Sequence, residues 1–331
     1  NKPIFLILFF SYIYQLIFNF KKKIVMPKFH IDQSIVINKP LNEVHQQVSD
    51  FHTWTAWSPW LIADQDAKVI VNSDGKFYEW TGPVSGDGNM NMVKVTSERV
   101  DIDLTFLKPW KSKAKVWFLF KEVDRGTELR WLMDSSLPFF MFFMIGMFKA
   151  LIAMDFDRGL SMLKEKLEEG VIHSKLTFVG INSFKGGDYI GIKTKTSPKG
   201  IADAMGKDYT KLLEYIKGEY ASQIAGNPFS IYHKWNPAKG IVEYTAAVPV
   251  TGDVKLLDGM FRGNYPESSV YTTHHKGHYH HIGNAWSAMY ARKQNKIFKM
   301  NKKLHPVEEY LNSPKDTPST ELESNIHFAI K

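Results

Sequence analysis

Residues 116–131 read VWFLFKEVDRGTELRW, and this stretch shows the pattern that decides the fold of the first half of the chain. Two runs rich in β-branched, aromatic and aliphatic residues flank the turn signal at 124–126 (DRG), as is typical of a β-hairpin. Similar alternating runs lie upstream, separated by turn signals at 73–75 (SDG) and 86–88 (GDG). The sequence therefore predicts six antiparallel strands over 68–133.

The segments on either side add one strand and two helices to these six strands. An alternating run at 29–37 ends in a turn signal at Pro40, and 41–51 carries apolar residues at helical spacing. An apolar stretch at 137–154 contains a lysine and continues as an amphipathic 3–4 pattern that ends at Gly170. This pattern is typical of one long helix and not of a membrane span. The first half is thus predicted to be an antiparallel sheet that grips a helix.

Residues 4–20 form an almost unbroken apolar run, and three lysines follow at 21–23. A helix of about 17 residues spans about 26 Å, close to the ~30 Å hydrocarbon core of a bilayer. The basic residues follow the apolar run and no cleavage site succeeds them, which disfavours a signal peptide; a buried segment is the other alternative. The sequence predicts a transmembrane anchor with its basic flank at 1–26, in a single-pass membrane protein whose remaining domains are cytoplasmic.

After Gly170 the pattern of strands and helices restarts. The predicted elements are strands at 175–181, 189–194, 229–234, 240–248, 269–275, 307–311 and 326–330, and helices that begin at Ser197 and Gly283. They describe two β-β-α-β-like halves of an α+β domain with a cleft between them. The predicted organisation is therefore α+β, with the anchor at 1–26, a first domain at 27–170 and a second domain at 171–331.

The composition excludes several classes of protein. The 331 residues contain no cysteine, so disulfides, thiolate catalysis and cysteine-ligated zinc are excluded. The formal charge is +8, but the lysines are spread along the chain and form no helix-turn-helix, zinc finger or basic stripe, so no nucleic-acid partner is predicted. The sequence has no Ser-His-Asp spacing, P-loop or dinucleotide fingerprint, so no cofactor is predicted. The oligomeric state is left open.

Two segments of the first half carry a family resemblance. Residues 34–40 (SIVINKP) form a strand that ends in a turn proline, and 50–60 (DFHTWTAWSPW) form a tryptophan-rich loop. With 155–160 (DFDRGL), at the start of the final helix, they make residues 28–169 resemble the polyketide cyclase/START-like (SRPBCC) superfamily. The resemblance implies a helix-grip fold with an apolar cavity between sheet and helix. It implies no reaction, because this superfamily contains both binding proteins and enzymes.

The second half carries a different resemblance. Residues 307–314 (VEEYLNSP) and 317–322 (TPSTEL) make residues 174–331 resemble the gyrase-inhibitor-like (GyrI-like) effector-binding domain of AraC-type regulators. Ser313 stands where members of that family commonly have an aspartate. The resemblance implies a ligand cleft, and it implies that Glu308 lies on a strand that lines it.

Glu308 is therefore the principal candidate site residue. A carboxylate surrounded by aromatic rings binds cations through its charge and through the ring quadrupoles. The candidate aromatic walls are Tyr189, Tyr232, Tyr244, Tyr279, Trp286 and Tyr310. Some relatives are hydrolases of strained electrophiles that use such a glutamate with a nearby tyrosine, so Glu308 is also a candidate catalytic acid or base. A structural glutamate paired with lysine or arginine is the remaining alternative.

Three tryptophans of the first half, Trp54, Trp57 and Trp60, are further candidates for ligand binding. Tryptophans close to a sheet edge usually cover a core, so packing and the lining of a cavity are both open for this cluster.

The second half also contains five histidines within eight residues, at 274, 275, 278, 280 and 281. Imidazole favours divalent ions, but His274 and His275 fall on opposite faces of a strand and the others lie in a turn. No acidic partner stands at a known spacing, so no metal site is predicted.

These observations predict a membrane-tethered protein that binds a hydrophobic or cationic amphiphilic small molecule, for sensing, sequestration or transfer. The predicted partners are that ligand, a lipid among the candidates, and the membrane through residues 4–20. The alternative is a hydrolase or cyclase that acts on a hydrophobic or electrophilic molecule in one of the two clefts. A transcriptional regulator is disfavoured because the sequence shows no DNA-binding helices.

Overall fold

The computed structural model describes residues 27–108 and 111–331. Its N-terminal half, residues 27–170, contains one seven-stranded antiparallel sheet with the strand order β1-β7-β6-β5-β4-β3-β2. The elements of this half, in chain order, are β1 (Lys28–Ile37), α1 (Leu41–Val48), a 3-10 helix (Phe51–Ala56), β2 (Lys68–Val71), β3 (Phe77–Gly82), β4 (Gly86–Thr96), β5 (Arg99–Phe106), β6 (Ser112–Val123), β7 (Gly126–Ser136), a 3-10 helix (Phe139–Met144) and α2 (Ile145–Glu169).

One face of this sheet and the long helix α2 form the core of the N-terminal half. Alternate side chains of β6 are buried on this face, among them Phe118, because successive residues of a strand point to opposite faces. Phe156 and Leu160 of α2 pack into the same cluster. The helix ends at Gly170 in the left-handed conformation (φ +80°), as the sequence predicts for a residue without a Cβ.

The C-terminal half, residues 171–331, contains one eight-stranded antiparallel sheet with the order β12-β9-β11-β10-β14-β15-β13-β8. Its elements are β8 (Ser174–Phe184), β9 (Gly187–Thr196), a 3-10 helix (Pro198–Gly200), α3 (Ile201–Glu219), a 3-10 helix (Ala221–Gln223), β10 (Phe229–Asn236), a 3-10 helix (Pro237–Lys239), β11 (Ile241–Pro249), β12 (Phe261–Tyr265), β13 (Ser268–Gly277), a 3-10 helix (Tyr279–His281), α4 (Gly283–Gln294), β14 (Val307–Tyr310), a 3-10 helix (Ser319–Glu321) and β15 (Glu323–Ala329).

The fold class predicted from the sequence is therefore corrected. The described residues form two antiparallel sheets with a few helices, and the second sheet is continuous where the sequence predicts two β-β-α-β-like halves. The sheet is continuous because β14 pairs with β10 on one side and with β15 on the other. Repeating strands in a sequence do not reveal whether the edges of two half-sheets pair, since each edge offers the same backbone groups.

The predicted transmembrane helix and the single-pass membrane localisation are also corrected. None of the helices within residues 27–108 and 111–331 combines the length and the apolar character that a membrane span requires. The apolar run at 4–20, on which both predictions depend, lies outside the described residues.

The two halves contact each other through α2 and the loop that precedes β2. Arg158 of α2 donates from Nε to Asn284 Oδ1 (3.1 Å) and from Nη2 to Ser287 Oγ (3.0 Å), both on α4. Ala63 and the partly buried Ile62 pack into a cluster whose other members are C-terminal residues, and Gln65 Nε2 donates to the backbone oxygen of Leu176 at 3.1 Å. The halves therefore share a packed and hydrogen-bonded interface.

Candidate functional site

Glu308 lies in the interior of the eight-stranded sheet. Its strand, β14, has only four residues. In the sheet, Glu308 pairs with Ser230 of β10 on one side and with Ile326 of β15 on the other. Because strand residues alternate between faces, Glu308 and Glu309 point to opposite sides of the sheet. Glu308 is only 3% exposed, so its carboxylate is removed from bulk water.

Neutral donors surround this carboxylate. The indole Nε1 of Trp286 donates to Oε2 at 2.5 Å, and the hydroxyl of Tyr232 donates to the same oxygen at 3.2 Å. Tyr310 is a third hydrogen-bond partner. No lysine, arginine or histidine in the described part of the chain pairs with Glu308, which argues against a structural ion pair at this position.

Burial determines how these groups titrate. Burial raises the pKa of Glu308 above its ordinary value, and the hydrogen bonds from Trp286, Tyr310 and Tyr232 oppose this rise only in part. Burial, reinforced by the nearby carboxylate, also raises the pKa of Tyr232 and of Tyr310 well above the ordinary value for tyrosine. The phenols therefore remain protonated near neutral pH and act as donors.

The aromatic rings around Glu308 belong to four separate elements: β10, the 3-10 helix Tyr279–His281, α4 and β14. The rings of Tyr232 and Trp286 lie edge to face with their centroids 4.5 Å apart, and Tyr279 lies 5.9 Å from Tyr310. Edge-to-face pairs of this kind stabilise one another beyond their burial. All four rings are partly exposed, while the carboxylate beneath them is buried. Four of the predicted wall residues are thus brought together at Glu308.

The other two predicted wall residues lie further away. Tyr244 is on the neighbouring strand, 6.5 Å from Tyr232 between ring centroids, and its hydroxyl donates to Asp208 Oδ2 at 2.6 Å. Tyr189 lies in a separate cluster, where it packs edge to face against Phe229, 5.5 Å away. Phe229 pairs with Glu309 and not with Glu308, so this cluster occupies the opposite face of the sheet.

Helix α3 contributes a site residue that sequence reasoning missed. The hydroxyl of Tyr209 lies 2.9 Å from Ser230 Oγ, which in turn lies 3.1 Å from the hydroxyl of Tyr310. This chain extends the polar network from Glu308 to the helix. The amphipathic pattern of α3 places Tyr209 on the helix face that packs on the sheet, but no sequence signal distinguishes it from a core residue.

The three candidate tryptophans lie in the N-terminal half, away from Glu308. Trp54 and Trp57 are buried in its core, and Trp60 is 38% exposed. All three rings contact Trp131, and the indole Nε1 of Trp60 donates to Asp155 Oδ2 at 3.1 Å. Their rings therefore pack against one another and against the core.

Two surface cavities lie elsewhere on the molecule. One, of about 560 Å³, lies between the halves and is lined by Ile62 and Gln65 on one side and by residues 174–178 on the other. The second, of about 650 Å³, lies along α3 beside Asp203 and Glu214. Glu308 lines neither of them.

We expect Glu308→Gln to change how the free energy of unfolding depends on pH. The folded protein retains a proton on Glu308 between the ordinary carboxyl pKa of 4.5 and its raised value, whereas the unfolded chain has released it. The unfolding free energy of the unmodified protein therefore falls as pH rises through this window, and the variant, which has no such proton, gains relative stability toward neutral pH. Urea unfolding at a series of pH values measures the difference.

Glu309→Gln is the matched control for this experiment. It should change the pH dependence of the free energy of unfolding in the opposite direction. Burial alone would raise the pKa of Glu309, but hydrogen bonds from His327, Asn227 and Asn325 outweigh it and lower the pKa. Glu309 thus contributes stability that is present above pH 4.5 and lost as the pH falls through its lowered value. Parallel pH profiles for the two variants would contradict the assignment of Glu308 as the destabilised carboxylate.

Comparison with protein families identifies the C-terminal half. Residues 181–331 match the family described as the GyrI-like small molecule binding domain, so this part of the chain is a small-molecule binding domain. The GyrI-like resemblance predicted from the sequence is confirmed over these residues. The match does not extend to residues 28–169, where the START-like resemblance stays a prediction. No curated protein sequence matches the chain.

Three solved structures show distant likeness to this protein. The cryo-EM structure of an EcmrR–DNA complex is 14% identical and covers 59% of this chain and 72% of its own, with a TM-score of 0.41. Protein CV1439 from Chromobacterium violaceum is 13% identical and covers 42% of this chain and 96% of its own, with a TM-score of 0.33. Protein MLL2253 from Mesorhizobium loti is 13% identical, with coverages of 43% and 98% and a TM-score of 0.34. Because these scores lie below 0.5, the likeness carries no argument about function.

Proposed function

We propose that the C-terminal half binds small hydrophobic cations and that Glu308 binds their positive charge. The observation that carries this proposal is a buried carboxylate whose partners are all neutral donors: Trp286, Tyr232 and Tyr310. A buried carboxylate that lacks a cationic partner is unfavourable, and a cationic ligand would supply the missing charge.

The aromatic rings support a ligand that is both cationic and apolar. A cation held over a tyrosine or tryptophan face gains about 0.5–2 kcal/mol from the ring quadrupole, with the larger values in desolvated sites. Tyr232, Trp286 and Tyr279 are partly exposed, so they offer apolar surface to a ligand that approaches from their side. A ligand can reach the carboxylate of Glu308 only if these rings separate. Because rotation of exposed side chains is fast compared with binding, this separation does not prevent the ligand from entering.

The test is ligand binding by the full chain, measured by calorimetry and by thermal shift. Aromatic quaternary ammonium compounds are compared with neutral molecules of the same shape and with anions of similar size. A ligand that binds only the folded state stabilises it by about 2.7 kcal/mol at a concentration of 100 times Kd. We expect the cations alone to bind, and Glu308→Gln to weaken them by at least about 30-fold, since loss of one partner of a desolvated charge pair costs about 2–5 kcal/mol.

Glu309→Gln is again the control, because Glu309 is the adjacent carboxylate on the opposite face of the sheet. It should leave cation affinity unchanged. Equal binding of neutral isosteres, or equal losses in the two variants, would contradict the proposal.

A hydrolase remains a second candidate, favoured by the hydrogen bond from Tyr232 to Glu308 and by the raised pKa of that carboxyl group. A carboxyl group with a raised pKa can act as a general acid or base near neutral pH. Chromatography of strained electrophilic compounds after incubation with the protein distinguishes the two functions. Product formation that Glu308→Gln abolishes would establish the hydrolase, whereas reversible binding without product would support the binding protein.

We also propose that the two halves are separate domains, residues 27–170 and 171–331. The observations that support this division are the end of α2 at Gly170 and the absence of strand pairing between the two sheets in the described residues. A domain that binds the ligand and is packed against a second domain suits a protein that senses, sequesters or transfers its ligand.

A further inference from the structure

Four metal-ligating side chains converge where α2 meets the C-terminal half. Glu165 and Glu169 come from the last turns of α2, His173 from the connection to β8, and His278 from the segment that follows β13. His173 Nε2 lies 3.3 Å from Glu169 Oε2, and His278 Nε2 lies 3.4 Å from Glu165 Oε1. The four ligand atoms all lie within 4.8 Å of one another, so a single ion could contact all of them.

Glu165 has one satisfied oxygen and one unsatisfied oxygen. Its Oε2 accepts hydrogen bonds from the backbone N–H of His173 (2.9 Å) and from His281 Nε2 (2.8 Å). Its Oε1 is buried and has no hydrogen-bond partner, although the residue is only 5% exposed. His278 Nε2, 3.4 Å away, makes no hydrogen bond with it. A buried carboxylate oxygen without a hydrogen bond is costly, so this oxygen indicates a missing partner.

Two of the six separations between the ligand atoms fit a tetrahedral ion. Two ligand atoms at about 2.0–2.1 Å from a tetrahedral Zn²⁺ lie roughly 3.4 Å apart. The two His–Glu pairs have separations of 3.3 and 3.4 Å, which match one edge each of such a tetrahedron. Imidazole nitrogen and carboxylate oxygen are both established ligands of zinc.

We propose that Glu165, Glu169, His173 and His278 bind a divalent transition-metal ion of the zinc type. All four positions would be occupied by protein ligands, which is typical of a structural site. Because His278 follows β13 while the two glutamates belong to α2, the ion would join the halves of the molecule. The side chain of Glu169 is 52% exposed and that of His173 is 25% exposed, so an ion can reach the site from solvent.

Sequence spacing could not reveal this cluster. The histidines at 278–281 show no acidic partner nearby, because the partner Glu165 lies 116 residues before His281 and belongs to helix α2 of the other half. Only the packing of α2 against the segment that follows β13 brings them together.

The test is Zn²⁺ binding by the full chain, purified without a histidine tag and treated with a chelator. We expect calorimetry to show one ion per chain and a rise in melting temperature, because an ion that binds only the folded state stabilises it. Co²⁺ should give the visible absorption of a tetrahedral site. Glu169→Gln and His278→Gln should each weaken Zn²⁺ by at least about tenfold.

Two controls make the outcome decisive. His30→Gln removes a partly exposed histidine that lies 2.7 Å from Asp134, and it should leave Zn²⁺ affinity unchanged. His280→Gln tests a neighbouring group formed by Glu165, His280 and His281. Absence of stoichiometric Zn²⁺ binding would overturn the proposal, and so would binding that Glu169→Gln and His278→Gln do not weaken. A loss of Zn²⁺ affinity in His280→Gln without a loss in Glu169→Gln would overturn it as well. Both ligand variants change partly exposed side chains, and circular dichroism checks that they fold.

Discussion

Trp131→Ala is expected to lower the free energy of unfolding by about 3–5 kcal/mol, the usual cost of removing a large buried aromatic side chain. Trp131 is 2% exposed and stacks on Phe156 with the ring centroids 4.1 Å apart and an interplanar angle of 10°. It also contacts Phe118 and all three tryptophans of the 50–60 loop. Its removal would leave a cavity that joins the sheet, the loop and α2, which cannot collapse without moving all three.

Urea unfolding followed by far-ultraviolet circular dichroism measures this loss independently of tryptophan fluorescence. Trp117→Ala is the matched control, because Trp117 is the same residue type on β6 but only partly buried, where it lies beside Arg99 and His30. We expect a clearly smaller loss for Trp117→Ala. Similar losses in the two variants would show that Trp131 does not organise the core.

Gly277→Ala is expected to destabilise the C-terminal half by about 2–5 kcal/mol. Gly277 has φ +132°, a conformation that side chains other than glycine rarely adopt. A Cβ at this position would lie 1.9 Å from the backbone oxygen of His173. The strained backbone costs about 1–3 kcal/mol, and relief of the overlap requires the pairing of β13 with β8 to shift.

The control for this substitution is Gly206→Ala in α3, which should stabilise the protein where Gly277→Ala destabilises it. A Cβ added at Gly206 would meet no atom within 4 Å apart from its chain neighbours and its own helix backbone, and the residue is helical. Alanine is favoured over glycine in a helix by about 0.8–1 kcal/mol, so Gly206→Ala should raise the midpoint of urea unfolding. A neutral or stabilising Gly277→Ala would contradict the backbone argument.

Local patterns predicted much of the chain's secondary structure. The turn at 124–126 joins β6 to β7, and the long amphipathic pattern ends at Gly170, because both features depend on residues close together in the sequence. The alternation of β14 predicts that Glu308 and Glu309 point to opposite faces of the sheet. The structure shows this arrangement, and Glu309 pairs with His327 on its own face of the sheet.

Features that depend on distant residues could not be predicted in the same way. Tyr189 is one of eight partly or fully buried tyrosines in the C-terminal sheet and α3, and only the strand register places it on the face opposite Glu308. The contribution of Tyr209 depends on how α3 lies across β10. The apolar run at 4–20 predicted a membrane span from hydropathy alone, and it lies outside the described residues, whose helices include none suited to cross a membrane.

The strand order of the second sheet also sets the sequence of events during synthesis. β8 is the first strand of this half to leave the ribosome, but it pairs only with β13, which is made much later. β13 and β14 in turn each need β15, residues 323–329, to satisfy one edge. A nascent chain that stops short of β15 would expose two unpaired strand edges, and such edges promote aggregation. Completion of this sheet therefore has to await the synthesis of β15.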